Sequence, residues 1–373
     1  KSGKQNLIGF FGDAMQSIYD DGVGNLDEYK GNSADRVSEV RKTQNRRSPK
    51  KVIDLANRLR TDGIVQEPSG DENAPNMAGG QVKEGNILFI HSPIGDIATV
   101  KHYLIENHSW NFENAEKTKE LNLTHNLIAD KAGFRTLMDI YDSDPVVGLK
   151  NDILRKIKDN KKNNKLLQDH ASAGLYGQLK DNPFSEVRKI YLTKDALIDD
   201  KKQDAEDENK KSSKRDNLIK HLFKIQNNIF LYKTGRYNEF LRATDYKDKI
   251  TCIADKLALK NNIKSIVLDA GDFLKLSAVE SPDKPIEEVI NDAQEKGICL
   301  LDDKLEDFRA MNEYLYNRVK KVRFSEFQKL YDYLEGKTPF STQHKTKGTE
   351  FNNVLVILDN GGWNNYNFEN LFL

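Results

Sequence analysis

The stretch STQHKTKGTEFNNVLVIL, residues 341–358, sets small, polar and basic residues directly before an apolar run of strand character. Near the other end of the chain the order is reversed. In GFFGDAMQSIYDD, residues 9–21, an apolar run passes through Gly12 and Asp13 into polar residues. Short apolar runs bounded by glycine and polar side chains read as buried strands, and open parallel sheets bind ligands just beyond the carboxyl ends of their strands. Both stretches therefore belong to an α/β protein, and the second of them, 9–21, marks the ligand edge of its sheet.

Working outward, the pattern divides the chain into three regimes. Up to about residue 129, apolar runs alternate with helical periodicity. NLIGFF (6–11), NILFIHS (86–92) and ELNLTH (120–125) read as strands, with the helix SPKKVIDLANRLR (48–60) between the first two. Ser48 is a favourable N-cap and Pro49 suits a first helical turn. Val52, Ile53, Leu55, Ala56 and Leu59 then recur at helical spacing and predict one buried face. Alternating strands and helices imply βαβ units and a mainly parallel sheet. From about 133 to 337 helical patterns dominate, as in 215–232, 248–260, 286–297 and 305–322, with a nearly all-polar stretch at 199–216 expected as a loop or helix end. From Thr338 the α/β signature returns and closes on the strand NVLVILDN (353–360). An α/β domain is thus interrupted by a helical block and resumed.

Composition bounds the partners. A chain of 373 residues has room for about two or three domains. The longest apolar runs, NILFI and VLVIL, are far below the ~20 residues of a spanning helix, and no signal peptide is expected. Cys252 and Cys299 are the two cysteines, which suits a reducing, cytoplasmic setting without a disulfide framework. Net charge is zero, so any nucleic-acid contact must come from local patches. Residues 150–165 carry seven Lys/Arg against two Asp/Glu, and RVKKVR (318–323) adds four cations. Each reads first as a solvated helix face, with a phosphate-tracking helix as the alternative.

The residues beside the strands suggest chemistry. Asp13, Gln16 and Ser17 put a carboxylate and an amide past the end of a strand, and an amide can report a terminal phosphate. Lys347, Gly348 and Glu350 suit close backbone approach to phosphate and a carboxylate on a ribose hydroxyl. Either stretch alone is also an ordinary turn.

Taken in order, GDAMQSIY (12–19), QNRRSPKKVIDLAN (44–57) and STQHKTKGTEFNNV (341–354) resemble three motifs of the UvrD/Rep-like superfamily 1 DNA helicases. The matching residues are Gly12, Asp13, Gln16, Ser17, Ile18 and Tyr19; Asn45, Arg47 and Ser48; and Thr342, His344, Lys347, Gly348, Glu350 and Phe351. The resemblance implies a RecA-like P-loop NTPase-type fold. It places the end of a first RecA-like domain at 1–34 and a second at 35–132 and 338–373, with a helical insertion over 133–337. It further implies ATP and Mg2+ as cofactors, and single-stranded and duplex-junction DNA as partners. Gln16 and Arg47 become catalytic candidates at the γ-phosphate. Asp13, Arg46, Gly348 and Glu350 become nucleotide-binding candidates, with Glu350 on the ribose. Tyr19, Thr124, His125, Thr342, His344 and Lys347 become nucleic-acid-binding candidates.

The resemblance also exposes departures. The family's GxxxxGK[ST] phosphate loop and magnesium-holding DExx motif are missing from these residues; EGKT (335–338) is a decoy, because the leading-glycine position holds Tyr331. The chain is therefore expected to be a fragment, inactive alone and completed by the remainder of its own polypeptide. Arg46 stands where the family places an adenine-stacking tyrosine, and Asp21 and Gly22 stand where it has an aromatic and an arginine. Trp363, Tyr366 and Phe368 read first as core or interface residues, with base stacking as the alternative. The function implied is part of an ATP-dependent DNA helicase. The alternatives are a nucleic-acid-binding or partner-docking module without ATPase activity, and the motor of a complex with a nuclease partner.

Overall fold

The computed structural model describes residues 12–13, 15, 29–31, 36–91, 95–145, 148, 194–199, 213–244, 284–295, 298–342, 345–346, 348–359, 361 and 367–371. The expected strand at 6–11, the basic run at 150–165 and the helix at 248–260 lie outside them, as do Trp363 and Tyr366. The chain divides into two compact units: Lys1–Trp110 with Gly348–Glu350, and Asn111–Lys347 with Phe351–Leu373.

In the first unit, β1 (Gln44–Asn45) pairs in parallel with β2 (Glu67–Pro68), in the register Gln44↔Glu67, with α1 (Lys50–Leu59) between them. A tight hairpin joins β3 (Met77–Ala78) and β4 (Gln81–Val82), and its two central glycines, Gly79 and Gly80, take the positive φ that such turns demand. Helix α2 (Ile97–His108) starts on Asp96, whose carboxylate accepts from the Ala98 and Thr99 N–H groups.

Three expectations fail here. Helix α1 is capped by Pro49 without a side-chain bond, not by Ser48. Its first amides donate instead to distant carbonyls, Lys50 to Lys83 O and Lys51 to Glu84 O, so tertiary contacts replace the local cap. Only Ile53 of its apolar face is buried, while Leu55 and Leu59 are exposed. The described part of NILFIHS forms no strand, and Ile87 to Ile90 lie exposed. An apolar run predicts burial only where a neighbouring ladder can receive it.

The second unit holds a parallel three-stranded sheet in the order β6-β5-β7, from β5 (Thr118–Asn122), β6 (Phe340–Thr342) and β7 (Asn353–Val356). This is the α/β class with a parallel sheet expected from the sequence. Central β5, sequence TKELN, is polar yet buried, whereas central parallel strands are normally apolar runs. Its charged side chains meet internal partners: Lys119 Nζ donates to Gly336 O and Thr338 O, and Lys131 pairs with Glu120 at 3.2 Å.

The connection from β5 to β6 carries the helices. Among the described residues these are α3 (His125–Ala132), α4 (Arg135–Asp142), the short α5 (Lys194–Leu197), α6 (Asn217–Lys233), α7 (Tyr237–Ala243), α8 (Ile286–Glu295), α9 (Asp303–Met311), α10 (Glu313–Val319) and α11 (Phe324–Leu334). The run read as one helix at 305–322 is two, broken at Asn312, which ends α9 and begins α10. One apolar cluster unites the block, including Phe134, Leu137, Leu222, Ile290 and Phe327. The RVKKVR run belongs to this framework. Arg318 binds the buried Asp144 at 2.7 Å and Lys320 binds Glu287 at 3.2 Å.

Candidate functional site

The segment after β1 carries two adjacent arginines on a fixed turn. Asn45 Oδ1 accepts the backbone N–H of Arg47 at 3.0 Å and of Ser48 at 2.8 Å, which is the local bond that lets asparagine set a turn without a helix or strand. Asn45 Nδ2 in turn donates to Gln66 Oε1. From the other side the buried Asn76 donates through Nδ2 to both Asn45 O and Ser48 O, each at 2.9 Å. The backbone under Arg46 and Arg47 is therefore held from both sides by amide groups.

The two side chains are anchored differently. Arg46 uses Nη2, at the tip of its guanidinium, to bind Asp71. The Asn73 backbone N–H, with help from Arg46, holds the Asp71 carboxyl below its ordinary range. Arg47 uses Nε, at the root, donating to Glu350 Oε1 at 2.9 Å. Both partners of this pair are about half exposed, 49% and 46%. Glu350 follows Gly348, whose φ of 84° is a left-handed conformation that glycine adopts freely and other residues resist.

Asp13 is also engaged. Arg60, at the end of α1, grips both its carboxylate oxygens, Nη1 at 3.1 Å and Nη2 at 2.9 Å, while its Nε reaches Asp62 at 3.0 Å. Between two carboxylates the guanidinium is held well above its ordinary pKa, first by Asp62 and then by Asp13. The sequence reading missed Arg60, Asp71 and Asn76. A cation at a helix end and polar residues in a loop are generic, so no local signal set them apart.

In the second unit, Thr124 and His125 do not end a strand. The strand stops at Asn122; Thr124 precedes α3 and His125 opens it. His125 is 4% exposed and its Nδ1 meets the Tyr333 hydroxyl at 2.7 Å, which gives the ring a packing partner in the core rather than an outward face. Leu121 and Leu123 drew the strand reading too far along the chain. Thr342 ends β6 at 1% exposure, and its Oγ1 accepts from Lys345 N at 3.4 Å. Lys345 Nζ returns to the carbonyls of Tyr333 and Leu334 at the end of α11, where cations complement the helix dipole. Gln16, Tyr19, His344 and Lys347 lie outside the described residues.

The donor set fits a polyphosphate better than a metal. Among the described residues no group of three or more His, Cys, Asp or Glu side chains could hold a metal ion, and none of the helices there is long and apolar enough to cross a membrane. The terminal nitrogens of Arg47 make no hydrogen bond among the described residues, leaving a planar fork of the kind that binds phosphate in a bidentate manner.

No family model matches the chain. It is similar to Gabija protein GajB of Bacillus cereus strain HuB5-5, with 27% identity over 375 residues that cover 98% of this chain and 48% of that protein. The chain thus spans about half the length of this curated relative. No solved structure matches significantly.

Proposed function

We propose that this chain is the part of an ATP-dependent DNA helicase or translocase that presents Arg47 to the nucleotide's terminal phosphate. The observation that carries this reading is the open fork of Arg47 on a turn fixed by Asn45. Three sequence motifs in the order of the superfamily 1 helicases support it, as does the similarity to Gabija protein GajB along nearly the whole chain.

Each residue acts through its own chemistry. Arg47 neutralises charge developing on the transferring phosphoryl group, a role in which an arginine contributes ~10³ or more in rate. Arg46, its tip on Asp71, offers a guanidinium plane on which a base can stack. Gln16 orients the attacking water, and Tyr19, His344 and Lys347 couple the strand of DNA to the nucleotide. ATP supplies the phosphoanhydride whose cleavage drives movement. The phosphate loop and magnesium-holding carboxylate are not among these 373 residues, and in the proposed motor they are supplied from outside them. The helical block is the insertion past which the strand moves.

The test is steady-state hydrolysis. The 373-residue chain by itself should show no ATPase activity, with or without DNA. A polypeptide that joins it to its phosphate loop should hydrolyse ATP with stimulation by single-stranded DNA. There, Arg47→Ala should lower kcat by ~10³ with DNA affinity retained, while Arg46→Ala should mainly raise KM. Absence of any DNA-stimulated turnover from the joined polypeptide would favour a docking module instead.

A further inference from the structure

Adjacent arginines on one turn are anchored at opposite ends, and the difference decides which of them can act. Arg46 is bound through a terminal nitrogen, so the part of the guanidinium that could fork onto a phosphate is already partly engaged. Arg47 is bound through Nε, which leaves its four terminal N–H donors to face outward. Its backbone N–H is fixed by Asn45, so the side chain is restrained at both the Cα and the root of the guanidinium.

Resting on the proposed function, we infer that Glu350 is a positioning residue for Arg47: its carboxylate takes the Nε hydrogen and thereby aims the terminal fork at the transferring phosphoryl group. A long, half-exposed arginine without such a partner samples many rotamers, most of them useless for a group that must meet its target within a fraction of an ångström. The positive φ of Gly348 turns the chain two residues ahead of the carboxylate, and an L-side chain there would strain the turn that delivers it. Charge alone predicts the opposite of positioning. A carboxylate beside a phosphate-binding cation repels the phosphate, so simple electrostatics makes Glu350 a hindrance. The two accounts therefore differ in the sign of the effect of removing it.

The experiment is a double-mutant cycle on the DNA-stimulated ATPase of the polypeptide that joins this chain to its phosphate loop, using Arg47→Ala, Glu350→Ala and the pair together. Positioning predicts that Glu350→Ala, which removes the acceptor, lowers kcat by about 10- to 100-fold with KM changed less than about twofold. It also predicts that the double variant is no slower than Arg47→Ala, because a group that acts only through Arg47 has nothing to position once Arg47 is gone. Glu350→Asp should recover part of the loss. An unchanged or faster kcat in Glu350→Ala, beside a collapsed Arg47→Ala, overturns the inference while the proposed function stands. So does a raised KM that persists in the Arg47→Ala background, which marks Glu350 as a ribose ligand. If the unsubstituted polypeptide has no turnover, or Arg47→Ala retains it, the proposed function itself fails and this inference with it.

Discussion

The two units of the chain are ordered by different forces. The second is built on a single apolar cluster reaching from Ile128 to Tyr333 through every major helix of the block. Among its described residues the first buries few large apolar side chains, notably Ile53 and Leu104, while Leu55, Leu59 and the run Ile87 to Ile90 stay exposed. Its order comes from amides and ion pairs: Asn45 on the arginine turn, Asn57 exchanging bonds with Gln66, and Arg60 between Asp13 and Asp62. Apolar burial is strong but indifferent to direction, whereas hydrogen bonds are individually modest but fix orientation. A turn that holds two adjacent guanidinium groups gains more from the second.

The contrast is sharpest in the core. Phe327 is fully buried, stacked on Phe324 and edge-on to Phe223. Phe327→Ala should lower stability by about 3–5 kcal/mol, read from urea unfolding followed by far-ultraviolet circular dichroism. A loss below about 1 kcal/mol would mean that the helical block lacks the packing assigned to it.

Next comes a pH effect with two opposing parts. Burial pushes the Asp216 carboxyl from 3.8 up to about 6, against the nearby Tyr141 hydroxyl, and pushes the His221 imidazole from 6.5 down to about 4. The native state binds the Asp216 proton more tightly than the unfolded chain does. That contribution is therefore present at low pH and lost as pH rises towards 6. The native state resists protonating His221, so stability is lost as pH falls from 6.5 to 4. Between pH 4 and 6 the slopes cancel. Asp216→Asn should expose the histidine slope, a fall of about 2 kcal/mol across that window after allowance for screening. A flat profile in the variant would show that His221 does not carry it.

In the first unit, Arg60→Ala strands two carboxylates and should lower local stability by about 1–2 kcal/mol. Hydrogen exchange of the Arg60 amide, bonded to Ala56 O, would report it. Smallest of all, Leu59→Ser should change stability by less than about 0.5 kcal/mol, because the side chain is already in water. A larger loss would reveal burial that the contrast denies.

What the sequence made legible follows the same division. The helices of the second unit were visible because apolar periodicity is a repeated, local signal: the run at 215–232 is α6 almost residue for residue, and 286–297 contains α8. Strand β5 was misplaced because its burial depends on internal polar partners such as Lys131 and the carbonyls of Gly336 and Thr338, which no window of sequence contains. The arginine turn was legible as a motif, since Asn45, Arg47 and Ser48 are close together. Its anchors were not, because Asp71, Asn76 and Glu350 come from elsewhere in the chain. The expected buried face of α1 failed for a related reason, as periodicity shows which side of a helix is apolar without saying whether anything covers it.

The bond from Arg47 to Glu350 spans 303 residues of chain. At a synthesis rate of ~5–20 residues per second, the arginine is made roughly 15–60 s before the carboxylate that holds it. Asn45 and its turn can form early, since their partners are near in sequence, but the root of the guanidinium has no anchor until the whole helical block and β6 have been translated. The anchored arginine thus forms only once Glu350 has been made, and a product terminated before it carries the motif without that bond.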